Sequence, residues 1–282
     1  MVDVDEIYNE FGYGLATPFA IRNFLRYALN VWAAPPEFVL LVGDAHYDYK
    51  NAETRYYQEF GINKVNYPNF VPTFHSWSPE WGETPMDIKF AAVLGDDPIP
   101  DLAIGRLPIQ RPGELDEYVE KLIAYESNPD PGPWQGRLVQ VADDEQTNIG
   151  DHIFQASREE LIRRVIPPAW ETQRIYLREI GSSYQTKARI REAISAGALI
   201  LEYAGHGGRT IWADENIFHI ADVPQTQNGT RQPLVIATTC EMNFFDKPEE
   251  LGQRPLGELF ILGRNRGSDR NSGRFALDLC AL

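Results

Sequence analysis

From residue 137 to residue 238 the chain alternates short apolar runs with stretches of helical period, and that alternation leaves few folds open. The runs Arg137 to Ala142, Arg174 to Leu177, Ala198 to Tyr203 and Leu234 to Thr238 read as strands, and the stretches around His152 to Val165 and Thr186 to Ala196 read as helices. Strands joined through helices lie parallel, because each crossover returns the chain to the same edge of the sheet. The expected class is α/β with mostly parallel sheets.

The first half follows a looser version of the same grammar. Phe24, Leu25, Ala28, Leu29 and Trp32 recur at helical spacing, and Pro35-Pro36 ends that helix before the run Phe38 to Gly43. Its unbroken apolarity predicts a parallel strand covered on both faces, with Asp44 at its exit. Ala45 to Met86 is polar, aromatic and proline-punctuated, with one short strand expected at Phe70 to Phe74. Further strands are expected at Ile88 to Leu94 and Asp101 to Arg106, and a helix opening at Pro112 with Leu115, Val119, Leu122 and Ile123 on one side. The cluster Ser127-Asn128-Pro129-Asp130-Pro131-Gly132-Pro133 breaks any regular structure. The expected division is therefore an α/β subdomain over 1–132, a second over 133–262, and an atypical tail over 263–282. After Gly263 a polar Gly/Arg/Ser/Asn run extends to Arg274, a composition unsuited to a central strand, so the tail is expected to be disordered or truncated.

Charge narrows the partners. With 26 Lys plus Arg against 41 Asp plus Glu, the net charge of −15 opposes binding to nucleic acid or anionic membranes. No window is long and apolar enough to span a membrane, and two cysteines, Cys240 and Cys280, exclude a disulfide scaffold.

In an open parallel sheet, ligands meet the chain beyond the carboxyl ends of the strands. Two strand ends are chemically unusual: Leu201-Glu202-Tyr203 runs into Ala204-Gly205-His206-Gly207-Gly208, and Val235-Ile236-Ala237-Thr238 runs into Thr239-Cys240-Glu241. If these strands are neighbours, His206 and Cys240 occupy equivalent positions on one edge. A thiol is mostly protonated at neutral pH, so nucleophilic work needs an imidazole within reach. The glycines around His206 let backbone amides face a substrate, making the N–H groups of Gly207 and Cys240 candidate oxyanion donors. Taken singly, a buried-type cysteine and a Gly-His-Gly turn are ordinary core and loop features; only their joint placement argues for catalysis.

These residues carry a resemblance. Tyr203-Ala204-Gly205-His206-Gly207-Gly208 with Trp212, followed by Ala237-Thr238-Thr239-Cys240, resembles the histidine and cysteine motifs of the gingipain-type, caspase-like cysteine peptidases. Phe38 to Asp44, Ile99 to Pro108 and Val139 to Asp144 are similar to strings in the same family. The resemblance implies two side-by-side, three-layer α/β subdomains and hydrolysis of peptide bonds through a Cys240 thioester, with His206 as proton carrier. It further implies a histidine-orienting acid among Asp143, Asp144 and Glu145, and a substrate pocket lined by Ala204, Thr238 and Trp212. No cofactor is required by this chemistry, although the family's use of calcium makes structural calcium an expectation, for which the acid run Asp143-Asp144-Glu145 is one place; separately, Gly43-Asp44-Ala45-His46-Tyr47-Asp48-Tyr49 carries Asp, His and Asp at alternate positions, which makes Asp44 and Asp48 candidate ligands of a calcium-binding loop. The partner is then a polypeptide substrate. The resemblance also implies an extracellular or cell-envelope location, type IX secretion, and a chain that is part of a longer polypeptide.

Other readings remain open on the residues alone. The same dyad serves a sortase-like transpeptidase, and the α/β class also fits an inactive or nucleotide-binding module. No Gly-x-Ser-x-Gly elbow and no phosphate-binding glycine loop occurs.

Overall fold

The structure, a computed structural model, describes residues 1–50, 52, 69–95, 97–144, 153–247 and 254–263, together with the backbone of 276–280. Two compact units are formed, one by Met1–Pro112 with Phe244–Gly252 and the other by Gly113–Asn243 with Gln253–Leu282. The division thus falls after Pro112 rather than at the proline–glycine cluster, and one short segment beyond residue 243 returns to the first unit. Breaker residues mark where regular structure stops, which is not where contacts divide.

In the first unit, helices α1 (Val4–Phe11) and α2 (Pro18–Val31) accompany strands β1 (Phe38–Val42), β2 (His75–Ser78), β3 (Gly82–Pro85) and β4 (Ala103–Leu107). Asp3 and Thr17 cap the two helices through their side-chain oxygens. Strands β1 and β4 pair in parallel, and β2 and β3 form an antiparallel pair. The core of this unit includes Ile7, Ile21, Leu25, Leu41, Val71, Phe74 and Phe90. Three expectations differ. Strand β1 is covered on one face only, leaving Phe38 and Leu40 exposed at 77% and 58%. The segment read as a strand at Ile88 to Leu94 holds a 3-10 turn, Asp87–Phe90, and no strand occupies Phe70 to Phe74. In each case a short apolar run was compatible with either period, and local turn formation prevailed.

The second unit is built on a five-stranded parallel sheet of β5 (Arg137–Ala142), β6 (Glu171–Tyr176), β7 (Ile200–Ala204), β10 (Leu234–Thr238) and β11 (Ala276–Cys280), in the order β11-β10-β7-β5-β6. Helices α3 (Pro112–Ser127), α4 (Ile153–Val165), α5 (Ser183–Ala196) and α6 (Leu256–Leu262) belong to it, as does a small hairpin of β8 (Ile211–Trp212) and β9 (Phe218–His219). In β5, Leu138, Val139, Gln140, Val141 and Ala142 are all buried, as a parallel strand covered on both faces requires, whereas β10 buries Val235 and Ala237 on one face. Ser182 caps α5 and Gly197 ends it.

The chain passes from β5 to β6 on one side, then recrosses to β7 on the other and continues outward to β10. Strand order therefore reverses between β5 and β7, and such a switch point opens a crevice beyond the carboxyl ends of the two strands. The tail differs from its expectation over 276–280, where β11 pairs in parallel with β10. Residues 264–275, including the polar run, lie outside the described residues.

Candidate active site

The register fixes where the functional residues emerge. Ala142 pairs with Ala204, and Thr238 pairs with Ala204 from the other side, so β5, β7 and β10 end level. Asp143, His206 and Cys240 follow those three ends by one, two and two residues. Ladder hydrogen bonding continues one step past the strands, with Asp143 N–H donating to the Ala204 carbonyl at 3.0 Å and Gly205 N–H to the Thr238 carbonyl at 3.3 Å.

The loop carrying His206 is held from both sides. Its N–H donates to Asp143 Oδ2 at 2.9 Å, and its carbonyl accepts from Ala213 N–H at 2.8 Å and from the Tyr203 hydroxyl. Burial pushes the Tyr203 phenol well above its usual range, so it remains a donor. The imidazole itself is exposed, and the ring of Phe154 meets it edge-on at 5.3 Å. Glycine is required at two positions here. A Cβ on Gly205 would collide with the Asp143 Cβ and the Tyr203 hydroxyl, and one on Gly207 would collide with Thr239 Oγ1. Without those Cβ atoms, the histidine loop lies directly against the segments that follow β5 and β10.

Cys240 is an exposed free thiol. A tight turn follows it, closed by Met242 N–H donating to the Cys240 carbonyl at 2.5 Å, with Glu241 at a φ of 47°. Partial burial and then the Glu241 carboxylate push the thiol above its ordinary range. Among the described residues, neither the thiol nor the His206 ring makes a hydrogen bond. The thiol and the imidazole are therefore not joined by a hydrogen bond at rest.

The two backbone N–H groups expected to face an oxyanion are placed as follows. Gly207 and Trp212 form an antiparallel bridge whose hydrogen bonds are made by the flanking residues, Ala213 N–H to His206 O and Gly208 N–H to Ile211 O. In that arrangement the N–H of Gly207 points out of the ladder. No bond from the Cys240 N–H to a described residue occurs either.

The residues expected to line a substrate pocket differ in exposure. Thr238 is exposed, but Ala204 is 1% exposed and Trp212 is fully buried. Trp212 stacks on Tyr203 at 4.4 Å, donates from Nε1 to Met242 Sδ and packs against Phe218 and Phe260. It is a core residue, because an indole enclosed on every side presents no surface to a substrate. Of the three acids expected near the histidine, Asp143 holds its backbone rather than its ring, Asp144 makes no bond to it, and Glu145 lies outside the described residues.

Asp44 and Asp48 are engaged within the fold. Asp44 accepts from Ala45 N–H and from the Gln110 amide, and Asp48 accepts from Ala52 N–H. Among the described residues the metal-competent group is instead Asp143, Asp144 and Glu215. Glu215 escaped sequence reasoning because it reaches the strand ends only through the β8–β9 turn. The signal was present in Asp214-Glu215-Asn216, a polar turn between two apolar pairs. A cleft of about 810 Å³ in the first unit, lined by Leu29, Pro35, Pro36, Glu37, Pro100 and Leu102 among others, offers neither nucleophile nor imidazole.

The family model for peptidase family C25 matches residues 1–270. Gingipain R2 of Porphyromonas gingivalis is 24% identical over 156 residues, covering 55% of this chain and 21% of that protein. Gingipain R1 of the same organism is 24% identical over 156 residues, again 55% of this chain and 15% of that protein. Among solved structures, that of the Arg-specific cysteine proteinase gingipain R superposes over 97% of this chain and 58% of that one, with a TM-score of 0.66 and 18% identity. The complex of the Porphyromonas gingivalis RgpB pro- and mature domains gives a TM-score of 0.63 at 18% identity, covering 97% of this chain and 59% of that one. The α/β fold is thus that of gingipain R, and the chain spans about a fifth or less of the curated relatives it matches.

Proposed function

The chain belongs to peptidase family C25, and from that membership we propose that it is a cysteine endopeptidase with Cys240 as nucleophile and His206 as proton carrier. The observation that carries this reading is the register: Cys240 and His206 each stand two residues beyond Thr238 and Ala204, which pair on adjacent parallel strands.

The chemistry then runs in two halves. The raised thiol pKa keeps Cys240 protonated in the free protein, so the imidazole takes the thiol proton once a peptide is bound between them. The sulfur lone pair attacks the scissile carbonyl carbon, and the carbonyl electrons move onto oxygen, facing the N–H groups of Gly207 and Cys240. Collapse breaks the C–N bond, and the leaving amine takes the proton from His206, giving a thioester. Water attacks that thioester, gives its proton to His206 and releases the carboxylate, and the departing sulfur is reprotonated. His206 reaches the amine without needing a permanent bond to Cys240, consistent with the unbonded resting pair.

No described helix is long and apolar enough to cross a membrane. Kinship with the gingipains supports a place outside the cytoplasm, within a longer, exported polypeptide; transit by type IX secretion is part of the same proposal. The test is cleavage of a fluorogenic peptide library varied at the residue before the cut. Cys240→Ala should abolish turnover and His206→Ala should lower kcat by at least about a hundredfold. Undiminished turnover in Cys240→Ala would overturn the reading.

A further inference from the structure

We propose that Tyr203, Trp212 and Met242 form a buried strut that sets how far apart the loops carrying His206 and Cys240 stand. The three then act as positioning residues for the dyad, a role that rests on the peptidase reading, although the strut itself does not. Tyr203 and Trp212 are fully buried, and Met242 is 1% exposed. The Tyr203 hydroxyl donates to the His206 carbonyl, and its ring stacks on the Trp212 indole at 4.4 Å with 10° between the planes. The indole Nε1–H donates to Met242 Sδ at 3.1 Å, and Met242 N–H donates to the Cys240 carbonyl at 2.5 Å. One line of contacts therefore runs from the histidine carbonyl to the cysteine carbonyl.

The polar atoms of this line do more than fill space. Phenylalanine and leucine would occupy nearly the volumes of Tyr203 and Met242 in an ordinary apolar core. A buried hydroxyl or indole N–H forfeits its hydration and is tolerated only where it finds an acceptor. Here each acceptor lies on a loop beyond a strand end: the His206 carbonyl, three residues after Tyr203, and the thioether two residues after Cys240.

The sheet alone does not hold these loops. Among the described residues, the last ladder bond between the ends of β7 and β10 is the Gly205 N–H to the Thr238 carbonyl at 3.3 Å, short of both His206 and Cys240. The strut is footed at both ends, since Ala213 N–H donates to the His206 carbonyl at 2.8 Å and the Met242 carbonyl accepts the N–H of Gly257, in α6, at 3.0 Å. Phe218 and Phe260 pack on the indole at 5.2 and 5.6 Å between ring centroids and hold its tilt. Misplacing a catalytic group by about 1 Å can cost about a hundredfold in rate, so a fixed separation bears directly on kcat.

The test alters one end of the strut and reads the other. In amide hydrogen exchange of the full chain followed by NMR, Met242→Leu should speed exchange of the Ala213 N–H, at the histidine end, by at least about fivefold; Tyr203→Phe should do the same to the Met242 N–H, at the cysteine end. Ile194→Ala, which opens a cavity in the same hydrophobic core, should lower Tm at least as much without singling out either amide. On fluorogenic peptides, Tyr203→Phe and Met242→Leu should each lower kcat at least about tenfold with KM held within about twofold, and Ile194→Ala should leave kcat unchanged below its Tm. Melting curves show whether each variant folds, and either strut variant alone suffices. Faster exchange confined to the altered loop, or spread evenly through the sheet as in Ile194→Ala, contradicts the strut. Coupled exchange with unchanged kcat contradicts the positioning role. A wild type that cleaves no peptide refutes the peptidase reading and the positioning role with it, while the exchange result still decides the strut.

Discussion

Two residues set the electrostatics of the strand edge. Glu241 directly follows Cys240 and, after burial, is the second cause of the raised thiol pKa. Glu241→Gln should therefore lower the Cys240 pKa and speed its alkylation at neutral pH, read from the pH dependence of the rate; an unchanged profile would contradict that role. Asp143 is the other. Burial, opposed by the His206 N–H and reinforced by Glu215, pushes its carboxyl up to about 6. A carboxyl whose pKa is raised in the folded state favours folding when protonated. Its contribution is complete below the unfolded value near ~4 and is lost as pH rises through about 6. Measured in EDTA, the stability of wild type relative to Asp143→Asn should fall between pH 4 and pH 7, since asparagine keeps an acceptor for His206 without the charge. A pH-independent difference in urea midpoints would refute the shift. The sequence showed the acid run but not which member turns inward, because that depends on Gly205 lacking a Cβ against which Asp143 packs.

At the scale of elements, the strand ends are useful because three of them finish level and their loops approach without side chains between them. Gly205 and Gly207 permit this, whereas a Cβ on Gly208 would meet only Ile211 Cγ1 at 3.8 Å. Gly205→Ala should therefore destabilise the protein by about 1–3 kcal/mol through overpacking, while Gly208→Ala should stay within about 0.5 kcal/mol. Equal effects in chemical denaturation would show that the close approach is not required. Strands β5 and β10 were legible to the residue, β5 because burial on both faces makes it a nearly continuous apolar run, whereas β11 follows a polar stretch and was not expected. In the first unit the signal weakened. There β1 is covered on one face, and the run after Met86 begins with a 3-10 turn packing Phe90 into the core. The buried position of Trp212 was equally hidden, since a tryptophan after a glycine loop reads as pocket wall or core until its stacking partner, Tyr203, is known.

For the molecule as a whole, two interleaved units rather than two consecutive ones follow from the return of Phe244–Gly252 to the first unit. Within that unit Asp246 is fully buried, takes the His75 ring at 2.8 Å and accepts the Tyr47 N–H at 2.9 Å. Local pattern reports helices and strands, but a segment's allegiance to a unit is decided by distant partners, and no periodicity encodes them. That the histidine and cysteine strands are neighbours was, by contrast, a condition of the sequence reading, and the pairing of β7 with β10 meets it. The central claim is that this meeting makes Cys240 the reacting atom. It is tested most directly by treating the protein with an electrophilic peptide that alkylates cysteine peptidases and mapping the adduct by mass spectrometry, in wild type and in His206→Ala. The account predicts one adduct, on Cys240, formed much more slowly in His206→Ala. Labelling of Cys280 at an equal rate, or a rate indifferent to His206, would contradict it.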